Sequence, residues 1–520
     1  MKVIGIIAEY NPFHNGHAYQ IARLKQKTNA DFVIVAMSGD FVQRGAPAIV
    51  DKYCRTKMAL SCGVDLVIEL PTVWSVSSAE DFAMAGVTLF DKMNCIDGIC
   101  FGAESDNLPL LKIIADILAE EPDAYKSALA SYLKKGMTFP SARAAALTDY
   151  FKNNIQIFYS CTEEISSIVN YSIESLISIL STPNNILAIE YLKALKRRNS
   201  VMTPILIPRA GSGYHDTAIH APSGKLYFSE DEQHSQPTAS ASAIRTAISD
   251  FMTADKSPVS LCEIAISMPE PAFTLFQNEI LSGSFLNADD FSSILGYRIL
   301  SCNKEDLLDI SDMTPEIANR ILKNKYQFSS FTQFSEKNKS RDITYTRMSR
   351  ILMHLLLRIT DADVKRYKEA DYIPYLRILG FRKDSADLLS VLKKNVTVPV
   401  ISKLSKSLHT FNGTAKYMLE QDIFAAELYE QQKAGKTKDE IRFYMLHQAN
   451  KRIVASVSKH MNEPLEKYPM NIENLGNTSS ASIPLLLDEW NKKGRLNLGD
   501  WIILSGFGGG LTYGDSLLQW

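Results

Sequence analysis

Val3-Ile4-Gly5-Ile6-Ile7-Ala8-Glu9-Tyr10-Asn11-Pro12-Phe13-His14-Asn15-Gly16-His17-Ala18-Tyr19-Gln20 is the stretch that decides the fold. Its opening, Val3–Ala8, is an unbroken apolar run of strand length, the texture of a strand covered on both faces. Its close runs on through Ile21-Ala22-Arg23-Leu24 with helical periodicity. A His-x-Gly-His, His14 to His17, thus falls where a parallel strand hands over to a helix. Free backbone N–H groups and the positive helix end converge at such junctions, which is where α/β sheets bind ligands. Two imidazoles placed there suit phosphate oxygens and the charge that develops on an α-phosphate as pyrophosphate leaves. A polar turn with two incidental histidines is the plainer reading. The strand before and the helix after argue against it.

Four further apolar runs extend the pattern: Asp31–Met37, Asp65–Leu70 (ended by Pro71), Gly98–Gly102 and Pro204–Ile207. Helical stretches such as Lys52–Cys62 and Ala79–Phe90 lie between them. Strands alternating with helices predict an α/β fold with a mostly parallel, doubly wound, Rossmann-like sheet. Residues 105–180 read as a helical insertion or cap, and residues 250–380 as mainly α-helical. At 520 residues the chain exceeds a single core. The expected division is a nucleotide-binding catalytic domain over 1–250, a mainly helical RNA-binding region over 251–430 and a third segment over 440–520. The composition turns polar at Gln431–Thr437 and Gly-rich beyond it.

A net charge of −2 gives no global basic field, so an RNA contact must be local and DNA is not expected. One local stretch qualifies. Arg320 to Arg350 holds eight Lys/Arg against Glu336 and Asp342, with Tyr326, Phe328, Phe331, Phe334 and Tyr345 interleaved. Cations for phosphates and aromatics for exposed bases suit RNA; a solvated loop with its aromatics in the core is the alternative. No apolar run reaches membrane-spanning length, and Met1-Lys2 leads straight into the first strand, so no leader is expected. The seven cysteines include no Cys-x-x-Cys pair, which predicts reduced thiols in the cytoplasm and no metal site.

A second constellation supports nucleotide chemistry. Ser240-Ala241-Ser242-Ala243-Ile244-Arg245 opens an apparent helix, where free N–H groups and a fixed guanidinium suit β- and γ-phosphates. Gly102 at a strand end allows close approach to the backbone. Asn184 or Asn185, after Pro183, can cap a helix or read a nucleoside edge. Arg209 ends the fifth strand on the same rim.

Together with Ser38-Gly39-Asp40-Phe41-Val42-Gln43-Arg44-Gly45, Val64–Pro71 and Gly213-Tyr214-His215-Asp216, these segments resemble the bacterial tRNA(Met) cytidine acetate ligases over residues 1–430. That family belongs to the Rossmann-like HIGH nucleotidyltransferase superfamily. The resemblance implies that acetate attacks the α-phosphate of ATP, giving acetyl-adenylate. The wobble cytidine of elongator tRNA(Met) then takes the acetyl group and becomes N4-acetylcytidine. It implies catalytic roles for His14 and His17 and ATP contacts from Ile7–Gln20, Gly102, Asn184 or Asn185, and Arg209, joined by Ser240 and Arg245. Magnesium is expected on the phosphates, held largely by substrate and water. Asp40 stands where the family pattern has asparagine, which is expected to alter the rim of the site.

The last 80 residues resemble another family. Leu446–Arg452, Gly476–Ser482 and Gly506–Gly510 look like the C-terminal part of beta-ketoacyl-[acyl-carrier-protein] synthase III. His447 and Asn477 match that family's catalytic His and Asn. Its nucleophilic cysteine belongs to a half that this chain lacks, since no cysteine follows Cys302. Condensing activity is therefore not expected. Two rival readings of the main site are a small-molecule adenylyltransferase and a non-catalytic RNA-binding protein.

Overall fold

The computed structural model describes residues 1–154, 179–209, 239–253, 258–282, 285–401, 404–435, 440–461, 463–508 and 512–520. These fall into two compact units, Met1–Ser402 with Asn412–Ala426, and Lys403–Phe411 with Glu427–Trp520.

In the first unit, β1 (Val3–Ala8) and β2 (Phe32–Ser38) precede a short hairpin, β3 (Phe41–Val42) and β4 (Ala46–Pro47). β5 (Leu66–Leu70), β6 (Gly98–Ala103), β7 (Thr203–Pro208), β8 (Leu376–Phe381) and β9 (Val400–Ile401) follow. One sheet takes the order β7-β6-β1-β2-β5-β8-β9. The five runs read from sequence are its parallel core: β1 pairs with β2 and β6, β2 with β5, and β6 with β7. Helices α1 (Asn15–Thr28), α2 (Lys52–Ser61), α3 (Ala79–Met93), α4 (Pro183–Arg197), α5 (Ala241–Thr253) and α6 (Tyr345–Leu357) serve the argument below. Because both faces of the core strands are covered, residues such as Val33 to Met37 are fully buried. α3 lies unusually close to β1: a Cβ on Gly86 would come within 2.4 Å of Ile7, and one on Gly5 within 2.6 Å of Phe90.

One expectation changes here. The structure joins residues 1–250 and 251–402 in one unit, because β8 completes the sheet by pairing antiparallel with β5. Leu376–Phe381 sits among helices, without the neighbouring strand that a βαβ pattern would offer, so its place in the sheet has no local signature. Residues 105–180 contribute the helices Leu108–Glu120, Asp123–Lys134 and Phe139–Asn153, with 155–178 outside the described residues.

Under the carboxyl ends of β1 and β2 lies a buried cation. Arg55 of α2 is fully buried. Its Nε donates to Val50 O (3.0 Å) and its Nη1 to Glu9 O (2.7 Å) and Ser38 O (3.0 Å). Its Nη2 donates to Gly39 O. One turn earlier, Lys52 Nζ meets Glu69 Oε1 at 2.7 Å and Asp40 Oδ2 at 3.0 Å, while Arg377 of β8 meets Glu69 Oε2 at 2.8 Å. Burial by itself lowers the Lys52 pKa, but Asp40 and Glu69 outweigh it and hold the ammonium above its ordinary range. Asp40 is thus a buried partner of Lys52 rather than a rim residue. An asparagine there would supply no balancing charge.

The second unit carries β10 (Ile441–Leu446), β11 (Trp501–Gly508) and β12 (Thr512–Gln519) in one sheet, parallel then antiparallel. Helices Lys451–Met461 and Ser482–Lys492 are built alongside it, and one face of its core stacks Tyr444 on Tyr468 at 4.7 Å.

Arg55→Met is expected to lower unfolding free energy by about 4 kcal/mol, because four buried carbonyls lose a charged donor. A urea titration monitored by circular dichroism reads this as an earlier midpoint; an unchanged midpoint refutes the role.

Candidate active site

β1 connects to β2 on one side and β6 to β7 on the other, so the strand order reverses between β1 and β6. Such a reversal opens a crevice beyond the carboxyl ends of the strands. A cavity of about 650 Å³ lies there, a size that accommodates a nucleotide. Ile7 to Asn11, Gly102 and Ile207 to Arg209 bring the three strand ends into its wall.

His14 caps α1. Its Nδ1 accepts from Gly16 N at 3.1 Å, and His17 Nδ1 accepts from His14 N at 3.2 Å. The local sequence explains this: imidazoles at the cap position and three residues on satisfy the orphan donors of the first turn reciprocally. The rings stack at 3.8 Å between centroids, and Tyr10 meets His17 edge-on at 4.7 Å. Since Nδ1 accepts in both rings, the neutral tautomer carries its proton on Nε2, and that N–H is the donor each ring offers a ligand. Burial, then the Arg209 and Arg245 guanidiniums, push His14 down to about 3. Burial, then His14 and Arg209, hold His17 well below its ordinary value. Both rings are therefore uncharged at neutral pH.

The two sequence constellations meet directly: Arg245 of α5 donates from Nη1 to Asn11 O at 2.7 Å and from Nη2 to Ser242 Oγ at 3.1 Å. Burial, then the neighbouring Arg44, bring Arg245 down to about 10, with Glu9 opposing. Ser240 caps α5 through Oγ, which accepts from Ala243 N at 3.0 Å. A Cβ on Gly102 would meet nothing closer than Arg209 Cγ at 3.5 Å, so the space a side chain would take belongs to the cavity.

Asn184 lines the cavity while Asn185 does not. Asn184 Nδ2 donates to Glu104 Oε1 at 2.6 Å. Asn185 is buried, and its Oδ1 accepts from Ser105 N at 3.0 Å. Gly16, Tyr19 and Gln20 also reach the wall. Pro12, Phe13, Asn15 and Ala18 do not: Phe13 packs into the core, and Asn15 Nδ2 donates to Ile266 O at 2.8 Å. Gly213–Asp216 lie outside the described residues.

Sequence reading missed part of the wall. The β3–β4 hairpin contributes Gln43 and Arg44, α4 contributes Tyr191, and the segment Phe285–Asp290 adds further lining. Glu9 and Gln43 are joined, Gln43 N donating to Glu9 Oε1 at 2.9 Å. For Gln43 and Arg44 the signal was their place in the motif already quoted; for residues 285–290 there was only an Asn-x-x-Asp capping pattern.

The aromatics of the basic stretch are not a stacking platform. Phe331 and Phe334 are fully buried, Phe328 packs on Phe334 at 5.2 Å, and Tyr345 is half-buried. Only Tyr326 among the five is exposed, with Lys325 Nζ 5.1 Å from its ring. The cause is helical spacing: Phe331, Phe334, Ser335 and Asn338 form the inner stripe of the helix Phe331–Asn338.

Residues 1–442 match the HIGH Nucleotidyl Transferase family. The tRNA(Met) cytidine acetate ligase of Thermoanaerobacter sp. (strain X514) is 40% identical over 435 residues, covering 82% of this chain and 95% of that protein. This chain belongs to that ligase family. The enzyme of the same name from Clostridium perfringens (strain SM101 / Type A) is 38% identical over 431 residues, with the same coverage. Among solved structures, Thermotoga maritima TmcAL superimposes with a TM-score of 0.71 in its apo form and 0.69 bound with alpha-thio ATP. Both are 28% identical and cover 83% of this chain and 95% of theirs. Residues 431–520 match a different family, 3-Oxoacyl-[acyl-carrier-protein (ACP)] synthase III C terminal. The chain is thus a cytidine acetate ligase family member fused to a condensing-enzyme segment. In that segment His447 Nδ1 lies 2.6 Å from Ser482 Oγ, and Asn477 is exposed.

The depressed imidazoles make stability pH-dependent. Below about pH 6.5 the unfolded chain takes up protons that native His14 refuses until about pH 3, so this stability is present above pH 6.5 and lost as pH falls. Between pH 7.5 and 5 the apo protein is expected to lose up to about 2 kcal/mol per depressed imidazole. His14→Asn is expected to flatten the curve in denaturant titrations; an unaltered slope refutes the neutral, buried assignment.

Proposed function

We propose that this protein activates acetate with ATP and transfers the acetyl group to the wobble cytidine of elongator tRNA(Met). The observation that carries the reading is the convergence of His14, His17, Arg209 and Arg245 on one cavity at the switch point of the sheet. Acetate is ionised at neutral pH, so its attack needs no general base. An acetate oxygen bonds to the α-phosphorus of ATP and the bond to the β-phosphate oxygen breaks, giving acetyl-adenylate and pyrophosphate. The cytidine N4 amine then attacks the acetyl carbon; AMP leaves and the amine loses a proton, giving N4-acetylcytidine.

The protein's share is positioning and neutralisation of charge. Arg209 and Arg245 attract the triphosphate, while the neutral imidazoles donate Nε2–H to oxygens whose charge grows in the transition state. Asn184, tied to Glu104, is the candidate for a nucleoside edge. Magnesium on the phosphates would be carried mainly by phosphate and water. Glu9, which with Asp290 supplies the carboxylates of the wall, would take up a remaining coordination place, and the ion would supply further neutralisation.

No helix among the described residues is long and apolar enough to cross a membrane. The six described cysteines form no disulfide among the described residues. The 431–520 segment is assigned no condensing role, because the chain has no cysteine beyond Cys302 to carry an acyl group.

Purified protein incubated with ATP, labelled acetate and tRNA is expected to label elongator tRNA(Met). Pyrophosphate exchange without labelled RNA points instead to a small-molecule adenylyltransferase, and neither signal to a non-catalytic RNA binder. His17→Ala is expected to lower acetate-dependent pyrophosphate exchange at least about 100-fold while tRNA binding persists. Retained exchange in that variant rejects the cradle.

A further inference from the structure

The cavity has a second side that the nucleotide chemistry leaves unused. Besides the strand ends, its wall takes in the β3–β4 hairpin and the segment Phe285–Asp290. Both pieces are fastened to the helices of the basic stretch. Gly45, between the wall residues Arg44 and Ala46, adopts φ +73°, and a Cβ there would come within 2.4 Å of Arg350 N. Ser349 Oγ donates to Gly45 O at 2.7 Å. On the other piece, Thr332 N donates to Asp289 Oδ1 at 2.7 Å and Phe331 N to Ser292 Oγ at 3.0 Å. The hairpin is thus tied to α6, and the 285–290 segment to the start of the helix Phe331–Asn338.

Arg350 is the irregular member. Its Nε is buried and has no hydrogen-bond partner among the described residues. Its neighbour Arg347 is already engaged with Asp312 at 3.4 Å. A desolvated guanidinium whose Nε–H lacks an acceptor gains from an anion that takes up that hydrogen bond. Burial lowers the Arg350 pKa and Arg347 adds to it, with Asp312 opposing.

Resting on the RNA-acylating reading above, we infer that the acceptor strand of the RNA crosses the β3–β4 hairpin, with a backbone phosphate held by Arg350 and the acceptor base laid against the Phe285–Asp290 wall. The hairpin then separates two duties. One flank faces ATP and the other receives RNA, so the amine reaches the acyl carbon from the hairpin side. Phosphate contact by Arg350 positions the strand without reading its sequence.

The test uses the full-length protein and an elongator tRNA(Met) transcript. Arg350→Gln is expected to raise KM for tRNA about tenfold and to reduce the log–log salt slope of tRNA binding by about 1. Arg350→Lys is expected to restore the slope. Acetate-dependent pyrophosphate exchange without RNA stays at the wild-type rate, which also shows that the variant is folded. Unchanged KM and salt slope overturn the inference. So does a parallel fall in exchange, because Arg350 would then serve the adenylation side. Absence of acetate-dependent exchange in the wild type sinks the reading beneath it instead.

Discussion

A single buried guanidinium holds the active end of this sheet together. Arg55 donates to the carbonyls of Glu9, Ser38, Gly39 and Val50, which lie on three separate segments. Strand ends that open onto a ligand crevice have carbonyls with no ladder partner, and such groups cannot stay buried alone. Arg55 satisfies them from below, so that the wall above is free to face substrate. The adjoining Lys52, Asp40, Glu69 and Arg377 cluster extends the same solution across β5 and β8. Most charges in it have an opposite partner within 3.0 Å, which is the condition under which buried ions are tolerated.

Upon this base the phosphate cradle is a local invention. The cap residue of α1 and the residue three positions on are both imidazoles, and each occupies its Nδ1 with a backbone N–H of the first turn. Helix capping therefore fixes the tautomer and the orientation of both catalytic candidates at once. Arg245 closes the arrangement from α5 by donating to Asn11 O, so two motifs 234 positions apart share one hydrogen bond.

The parts legible in the sequence are those with local causes. Each of the five parallel strands is a largely apolar run, interrupted in β5 by Glu69, and the His-x-Gly-His declares its helix by its own spacing. The parts that were not legible depend on the chain returning from far away. Arg377 reaches Glu69 only because β8 enters the sheet some 300 residues after β5. Asp40 looked like a rim residue because its partner Lys52 could be placed only once α2 was seen to tuck beneath the strand ends. The aromatics at 331 and 334 were readable in principle, since their spacing with 335 and 338 is that of an inward helical stripe. Composition suggested a surface there, and periodicity, applied to the same letters, gives a core. The Phe285–Asp290 wall had no local cause to read; it is held by ties to distant residues, Leu286 N to Ile49 O and Asp289 to Thr332 N at the start of the helix Phe331–Asn338.

On the proposed reading, two uncharged rings that grip a polyanion would also govern how pyrophosphate departs. Coulomb attraction fades slowly with separation, whereas a hydrogen bond is lost within a fraction of an ångström. A pocket lined wholly by cations would go on retaining pyrophosphate after the bond had broken. Imidazoles held neutral beside the proposed triphosphate would instead let go as soon as the leaving oxygens shift, emptying the chamber for the next turnover.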